Sequence, residues 1–319
     1  MRKSFHSIAA GLFVSFLGPF AVYSQTAATP PAPKVPAAET TATERAIDLA
    51  AKGQCTEALP ILKRTTERLT DKQVKYRAEM AAAKCAMSLG QDETAVQALF
   101  LLRREFPHDP EALYISTHYL SEMGNRAAQE LAATAPTSYQ AHELEAEAFE
   151  SQGKWAEAAA EYQKILEQNA NVPGIHFRLG RVAISQGESE ANTAEAQKEF
   201  EQELKIDPAN AAAEFSLGEI ARRAGQWDNA IAHFSAAAKL DSGFAEAFLA
   251  LGMSMASAQR FAEAVSPLEK YVKMMPGDPA GHYQLAIAYD RTGHKDAAAR
   301  EMQLQREAAA KAPGGDFPH

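Results

Sequence analysis

A glycine recurs along the chain at Gly53, Gly90, Gly124, Gly153, Gly187, Gly225 and Gly293, with Gln259 in the one remaining slot. The steps between these positions are 37, 34, 29, 34, 38, 34 and 34 residues. A period centred on 34 overrides a domain count taken from the length of 319 residues, because it describes an array of one repeated unit. Five residues after the marker stands an alanine and four further on a large apolar residue: Ala58 and Leu62, Ala95 and Leu99, Ala158 and Tyr162, Ala230 and Phe234, Ala264 and Leu268, Ala298 and Met302. Ala196 and Phe200 fit once four residues are inserted. Upstream lie Leu179-Gly180, Leu217-Gly218 and Leu251-Gly252, with Ala83, Ala146 and Ala286 in the glycine's place elsewhere. Two helices approach closely only where both present Gly or Ala, and the large residue then fills the space toward the next unit.

These residues resemble the tetratricopeptide repeat, a 34-residue helical hairpin with Leu-Gly in its first helix, Ala-x3-Phe in its second and a closing proline. Pro107, Pro208 and Pro276 occupy the closing position. The resemblance implies an all-α fold of tandem hairpins stacked into a right-handed superhelix, an α-solenoid, with about eight units over residues 44–311. The clearest units are 173–210, 211–244, 245–278 and 279–311. The unit at 110–138 is short, with Pro136 arriving early, so a truncated second helix is expected there. The first unit lacks Leu-Gly, and tryptophan is absent from the family's fourth position throughout. Pro267 falls inside a second helix, where a local bend is expected.

The first 24 residues read as a separate object. Arg2 and Lys3 precede an apolar run over residues 8–20, too short to span a bilayer comfortably, and Val22 and Ser24 are small enough for signal peptidase. Cleavage after Ser24 is expected, with an uncleaved anchor as the alternative. Residues 25–43, rich in Pro, Ala and Thr, are expected to be an extended linker, and residues 312–319 a tail. The expectation is an exported protein, periplasmic or extracellular, with no stable membrane insertion after cleavage. The net charge of −9, with both signs interspersed, provides no basic footprint for nucleic acid.

No catalytic pattern emerges. His142-Glu143-Leu144-Glu145 opens like a zinc-protease helix, but Ala146 stands where a second histidine is required. The nine histidines read as scattered surface residues, and neither a phosphate loop nor a Gly-x-Ser-x-Gly elbow is present. No metal or other cofactor is expected. Cys55 and Cys85 fall on adjacent helices, at the start of one unit's second helix and late in the next unit's first. In an exported chain they are a candidate disulfide; the competing reading is two small buried hydrophobes.

Function is therefore expected on the groove face, which in the resembled family is lined by the first helices. The family's fifth position reads Met80, Tyr114, Glu143, Phe177, Phe215, Leu249 and Tyr283, mostly large and apolar. With Arg178, Arg181, Glu219, Arg222 and Met253, the residues Phe177, Phe215, Leu249 and Tyr283 form the candidate partner-binding groove. Two readings stand for that row: an open hydrophobic groove, or side chains that close against neighbouring helices. Glu143, Glu147 and Glu150 share a face opposite Arg178 and Arg181, with Arg222 and Arg223 following, so the charges either clamp a ligand or satisfy each other. The Lys and Asn set with which one class of the family grips chaperone carboxylates is not found. The expected function is a non-catalytic scaffold that binds a protein or peptide. The alternatives are an enzyme or small-ligand protein with a pocket enclosed by the repeats, and a structural spacer.

Overall fold

The computed structural model describes residues 37–187 and 189–311, so the expected signal segment, most of the expected linker and the expected tail lie outside the described residues. Within them are fifteen α-helices and no strand. The chain divides into two compact units, one ending at Met123 and the other beginning at Gly124. The first contains α1 (Ala37–Ala51), α2 (Cys55–Thr65), α3 (Lys72–Ser88), α4 (Asp92–Glu105) and the first half of α5 (Pro110–Thr134). The second contains five hairpins: α6 (Tyr139–Ser151) with α7 (Trp155–Gln168), α8 (Ile175–Ser185) with α9 (Glu190–Ile206), α10 (Ala211–Arg223) with α11 (Trp227–Leu240), α12 (Ala245–Ser257) with α13 (Phe261–Met274), and α14 (Pro279–Arg291) with α15 (Lys295–Lys311).

Residues 37–43, expected to be linker, are helical because α1 starts at Ala37. No proline lies within residues 37–43, and the first turns have an anchor. Thr43 is fully buried, and its Oγ1 donates to the Glu39 carbonyl at 2.9 Å. In the same unit Cys55 and Cys85 are joined in a disulfide that ties α2 to α3 across a Cα separation of 5.0 Å. Ala83 and Leu99 lie in the core between α3 and α4, as the repeat pattern requires.

The expected hairpin at 110–138 is absent. Gly124 does not turn the chain; α5 runs unbroken for 25 residues. An added Cβ at Gly124 would meet nothing within 4 Å, so this glycine is neither a turn nor a crossing. The segment after it offers no large residue at the Ala-x3-Phe position to hold a second helix back against the first. From Ser121 to Thr134 no residue of α5 is buried.

In the second unit the small residues stand at helix crossings. A Cβ built on Gly180 would lie 2.5 Å from the Phe200 ring, and one on Gly218 would lie 2.6 Å from Phe234. Gly252 meets Leu268 in the same way. Phe234 and Leu268 are fully buried and Phe200 nearly so, so the glycine of α8, α10 or α12 forms the socket for the large residue of the next helix. The hairpin turns are equally regular. At Gly225 φ is +69°, and the N–H groups of Gly225 and Gln226 donate to the carbonyls of Arg222 and Ala221. Gln259 repeats that geometry with a side chain, at φ +62°, the only non-glycine with positive φ among the described residues. Pro267 lies within α13, which continues through it to Met274.

One buried group in the first unit is poorly matched to its surroundings. Glu79 is 2% exposed, and its Oε2 has no hydrogen-bond partner among the described residues. Burial, reinforced by the Glu105 carboxylate, pushes its pKa up to about 7, against the opposing pull of Lys75 and Arg104.

Two predictions follow from this packing. The same substitution should have opposite signs at two glycines: Gly218→Ala is expected to destabilise by about 1–3 kcal/mol through overpacking against Phe234, while Gly124→Ala should stabilise by about 0.5–1 kcal/mol through helix propensity. Urea unfolding of both variants followed by circular dichroism checks this; equal shifts would contradict it. For Glu79 the folded pKa lies above the unfolded one, so its stabilising contribution is complete below the normal carboxylate range and is lost as pH rises toward 7. Glu79→Gln should leave stability little changed near pH 4.5 and raise it at pH 8 by on the order of 1–3 kcal/mol. Parallel urea profiles for variant and parent at the two pH values would contradict this.

Candidate functional site

An opening in the second unit lies where the chain departs from the period. Four extra residues between Gly187 and Ala196 lengthen the second helix of that hairpin, so α9 has 17 residues where α7, α11 and α13 have 14. Ser189 caps α9, its hydroxyl accepting from the Asn192 N–H at 3.1 Å. Between this added turn and the C-terminal half of α10 lies a cleft of about 760 Å³. Its apolar floor is made by Ile184, Phe200, Phe215 and Ile220. Its rim is polar, with Arg181, Glu190, Gln197, Glu219 and Arg223. An apolar floor with a few polar groups at the edge is the composition of a ligand site.

The structure brings three of the sequence candidates, Arg181, Phe215 and Glu219, to this cleft. Phe215 is half-buried and also packs on Phe234 and Phe244, with ring centroids 5.4 and 4.9 Å away. Phe177 stacks against Phe200 at 5.6 Å, behind the floor. Leu249 joins the cores between α12 and its neighbours, Met253 is half-buried on α12, and Tyr283 is exposed on α14; none of these three lines the cleft. Phe177 and Leu249 thus follow the closing reading of the apolar row, while Phe215 both packs on its neighbours and faces the cleft. The cleft residues Ile184, Thr193, Gln197 and Ile220 were not among the sequence candidates. Their signal was the 38-residue step itself, which marks where added chain must go.

The charges on this face are largely spoken for. Arg178 reaches Glu147 at 2.7 Å and Glu143 at 3.3 Å, and donates to the Tyr162 hydroxyl at 3.3 Å. Burial and a hydrogen bond to Glu150 push the Tyr162 phenol well up, so it stays protonated. Arg222 grips Glu219 through two hydrogen bonds of 2.9 and 2.7 Å, which keep the guanidinium above its ordinary value. Arg181, whose side chain is 55% exposed, reaches only the edge of Glu150 at 4.0 Å. Compared with Arg178 and Arg222, it is the arginine better placed to face a ligand in the cleft.

The histidines correct the expectation of a scattered set. Four of them pair with glutamates across their hairpins: His142 with Glu161 at 2.7 Å, His176 with Glu199 at 2.6 Å, His233 with Glu214 at 2.7 Å and His282 with Glu301 at 2.6 Å. Each pair sits at one register, with partners 19 residues apart except where the insertion makes it 23. The first-helix members His142, His176, Glu214 and His282 occupy the family's fourth position, where tryptophan is missing. In the remaining hairpin Phe248 fills it, with the Lys270 ammonium 4.0 Å over its ring.

Comparison with known proteins agrees with this architecture. The tetratricopeptide repeat profile matches residues 124–174, 143–192, 177–245 and 221–279. Among solved structures the chain is similar to YrrB, described as a TPR protein with an unusual peptide-binding site, at 19% identity over 58% of this chain and 93% of that one, with a TM-score of 0.50. It is also similar to MamA, at 22% identity over 52% of this chain and 95% of that one, with a TM-score of 0.48. A search of curated proteins finds no match. The profile runs from residue 124 to residue 279, across the hairpins whose glycine sockets and turns are described above, and over that stretch these hairpins are tetratricopeptide repeats.

Proposed function

We propose that this protein is a non-catalytic scaffold that binds a segment of another protein in the cleft between α9 and α10. The observation that carries the reading is the 760 Å³ cleft with its floor of Ile184, Phe200, Phe215 and Ile220. That volume suits a few residues of a peptide, whose apolar side chains would meet the floor. Arg181, Glu190 and Arg223 on the rim would fix its direction by pairing with polar groups of the ligand. YrrB, which shares the fold, is described as having a peptide-binding site. The partner belongs to the class of peptides with two or more apolar side chains within reach of one another.

The expected energetics concentrate on few residues. Phe215→Ala should weaken partner capture by on the order of 2 kcal/mol, since aromatic anchors dominate interfaces. Arg181→Ala should cost less and depend on salt. Leu249 and Tyr283 lie outside the cleft, so Tyr283→Ala should bind as the parent does. Peptide-array probing with parent, Phe215→Ala and Tyr283→Ala proteins checks the assignment. Equal loss in both variants, with intact circular dichroism, would move the site elsewhere.

We further propose that the protein works in an oxidising compartment outside the cytoplasm, as the reading of the first 24 residues expects. The Cys55–Cys85 bond supports this, because such bonds persist where thiols are not kept reduced. Protein taken from its native source without reductant should resist thiol alkylation at both cysteines and become doubly labelled after reduction and unfolding. Full labelling before reduction would overturn the assignment.

A further inference from the structure

The four His–Glu pairs share one register across their hairpins, but the residue one turn further along the first helix differs at one of them. At the seventh position of each first helix, three residues after the fourth, the later hairpins place a buried leucine: Leu179, Leu217, Leu251 and Leu285. In α6 that position is Glu145, exposed to solvent. A charged residue where the repeat asks for leucine gives up packing, and such a local departure needs another explanation. The neighbours of Glu145 supply one. His142 lies one helical turn before it on the same face, and Glu161 comes across from α7, so that one donor atom of each of the three lies within 4.8 Å of the other two.

We propose that His142, Glu145 and Glu161 bind a single divalent metal ion of the zinc class. One imidazole nitrogen and two carboxylate oxygens suit a borderline cation such as Zn²⁺, with water completing the tetrahedron. The arrangement is already part-built. His142 Nδ1 and Glu161 Oε2 are 2.7 Å apart, so the ion replaces the hydrogen bond between them. Glu161 is 7% exposed and fixed in place, with its other oxygen Oε1 accepting from the Lys164 ammonium at 2.5 Å. Lys164 thereby orients the ligating carboxylate and leaves Oε2 for the metal, the part that outer hydrogen bonds commonly play around metal ligands. Glu145, on the exposed side, closes over the ion by rotation of a solvated side chain. The bound ion would tie α6 to α7 in the first hairpin of the second unit.

The other pairs serve as internal controls, because His176, His233 and His282 each have a glutamate but no third carboxylate at the leucine position. The experiment is a Zn²⁺ titration of the full chain in competition with a chromophoric chelator at pH 7.5. One equivalent should bind. Glu145→Gln, an exposed change that leaves the helix intact, should weaken binding by at least about tenfold, and His142→Gln should abolish it. His176→Gln should bind as the parent does. Absence of binding by the parent, several equivalents of equal affinity, or an unchanged titration in Glu145→Gln would each overturn the proposal.

Discussion

The close crossing of the two helices in each hairpin is the contact on which the rest of the array depends. At Gly180, Gly218 and Gly252 the backbone of the first helix lies where no Cβ fits beside Phe200, Phe234 and Leu268. A hairpin on its own would leave the far side of these large residues in water. Stacking the next hairpin buries them, so the stability of one unit is completed by its neighbour. The same contact sets register. With the crossing fixed, the fourth position of each first helix faces the second helix at one register, and the His–Glu pairs recur there in four of the five hairpins.

Those pairs show how the array replaces a missing residue. Where tryptophan would fill the fourth position by volume, this chain places a hydrogen-bonded pair that spans the two helices. Glu161 and Glu199 are each 7% exposed, and a carboxylate so placed costs several kcal/mol unless hydrogen-bonded. The Glu161 carboxyl is held below the usual range, since hydrogen bonds from Lys164 and His142 together outweigh the largest single influence, burial, which raises it. Glu79 is the contrast. It lies at 2% exposure on the first helix of an earlier hairpin, without a histidine opposite, and its pKa is raised instead.

The repeat was readable from the sequence because its determinants are local and periodic: a glycine with positive φ at each turn and a small residue at each crossing. Gln259 could be assigned to a turn by spacing alone, although its side chain disfavours that backbone. Gly124 was misplaced for the complementary reason. Its spacing fits the series, but a glycine is compatible with an uninterrupted helix, and only the missing large residue nine positions later distinguishes the two. The groove was legible in part. Phe177, Phe215 and Leu249 were recognised as a row, yet whether a large side chain faces water or a neighbouring helix depends on the depth of the inter-hairpin contact, which no pattern within one unit encodes. The His–Glu pairs lie 19 or 23 residues apart across a turn, beyond any helix-face spacing.

The four residues inserted before α9 have a consequence for how such an array can change. They lengthen one helix at its solvent end, and the pair beneath them, His176 and Glu199, keeps the geometry of its counterparts although 23 rather than 19 residues now separate its members. Phe200 still occupies the socket at Gly180. The added turn therefore leaves the socket and the His–Glu pair of its own hairpin intact, and its effect appears as the cleft against α10. A linear array tolerates growth at its loops because no closed core has to be repacked around the new chain. A recess for a ligand can thus be gained or lost at one hairpin while the remaining hairpins keep their sequence constraints unchanged.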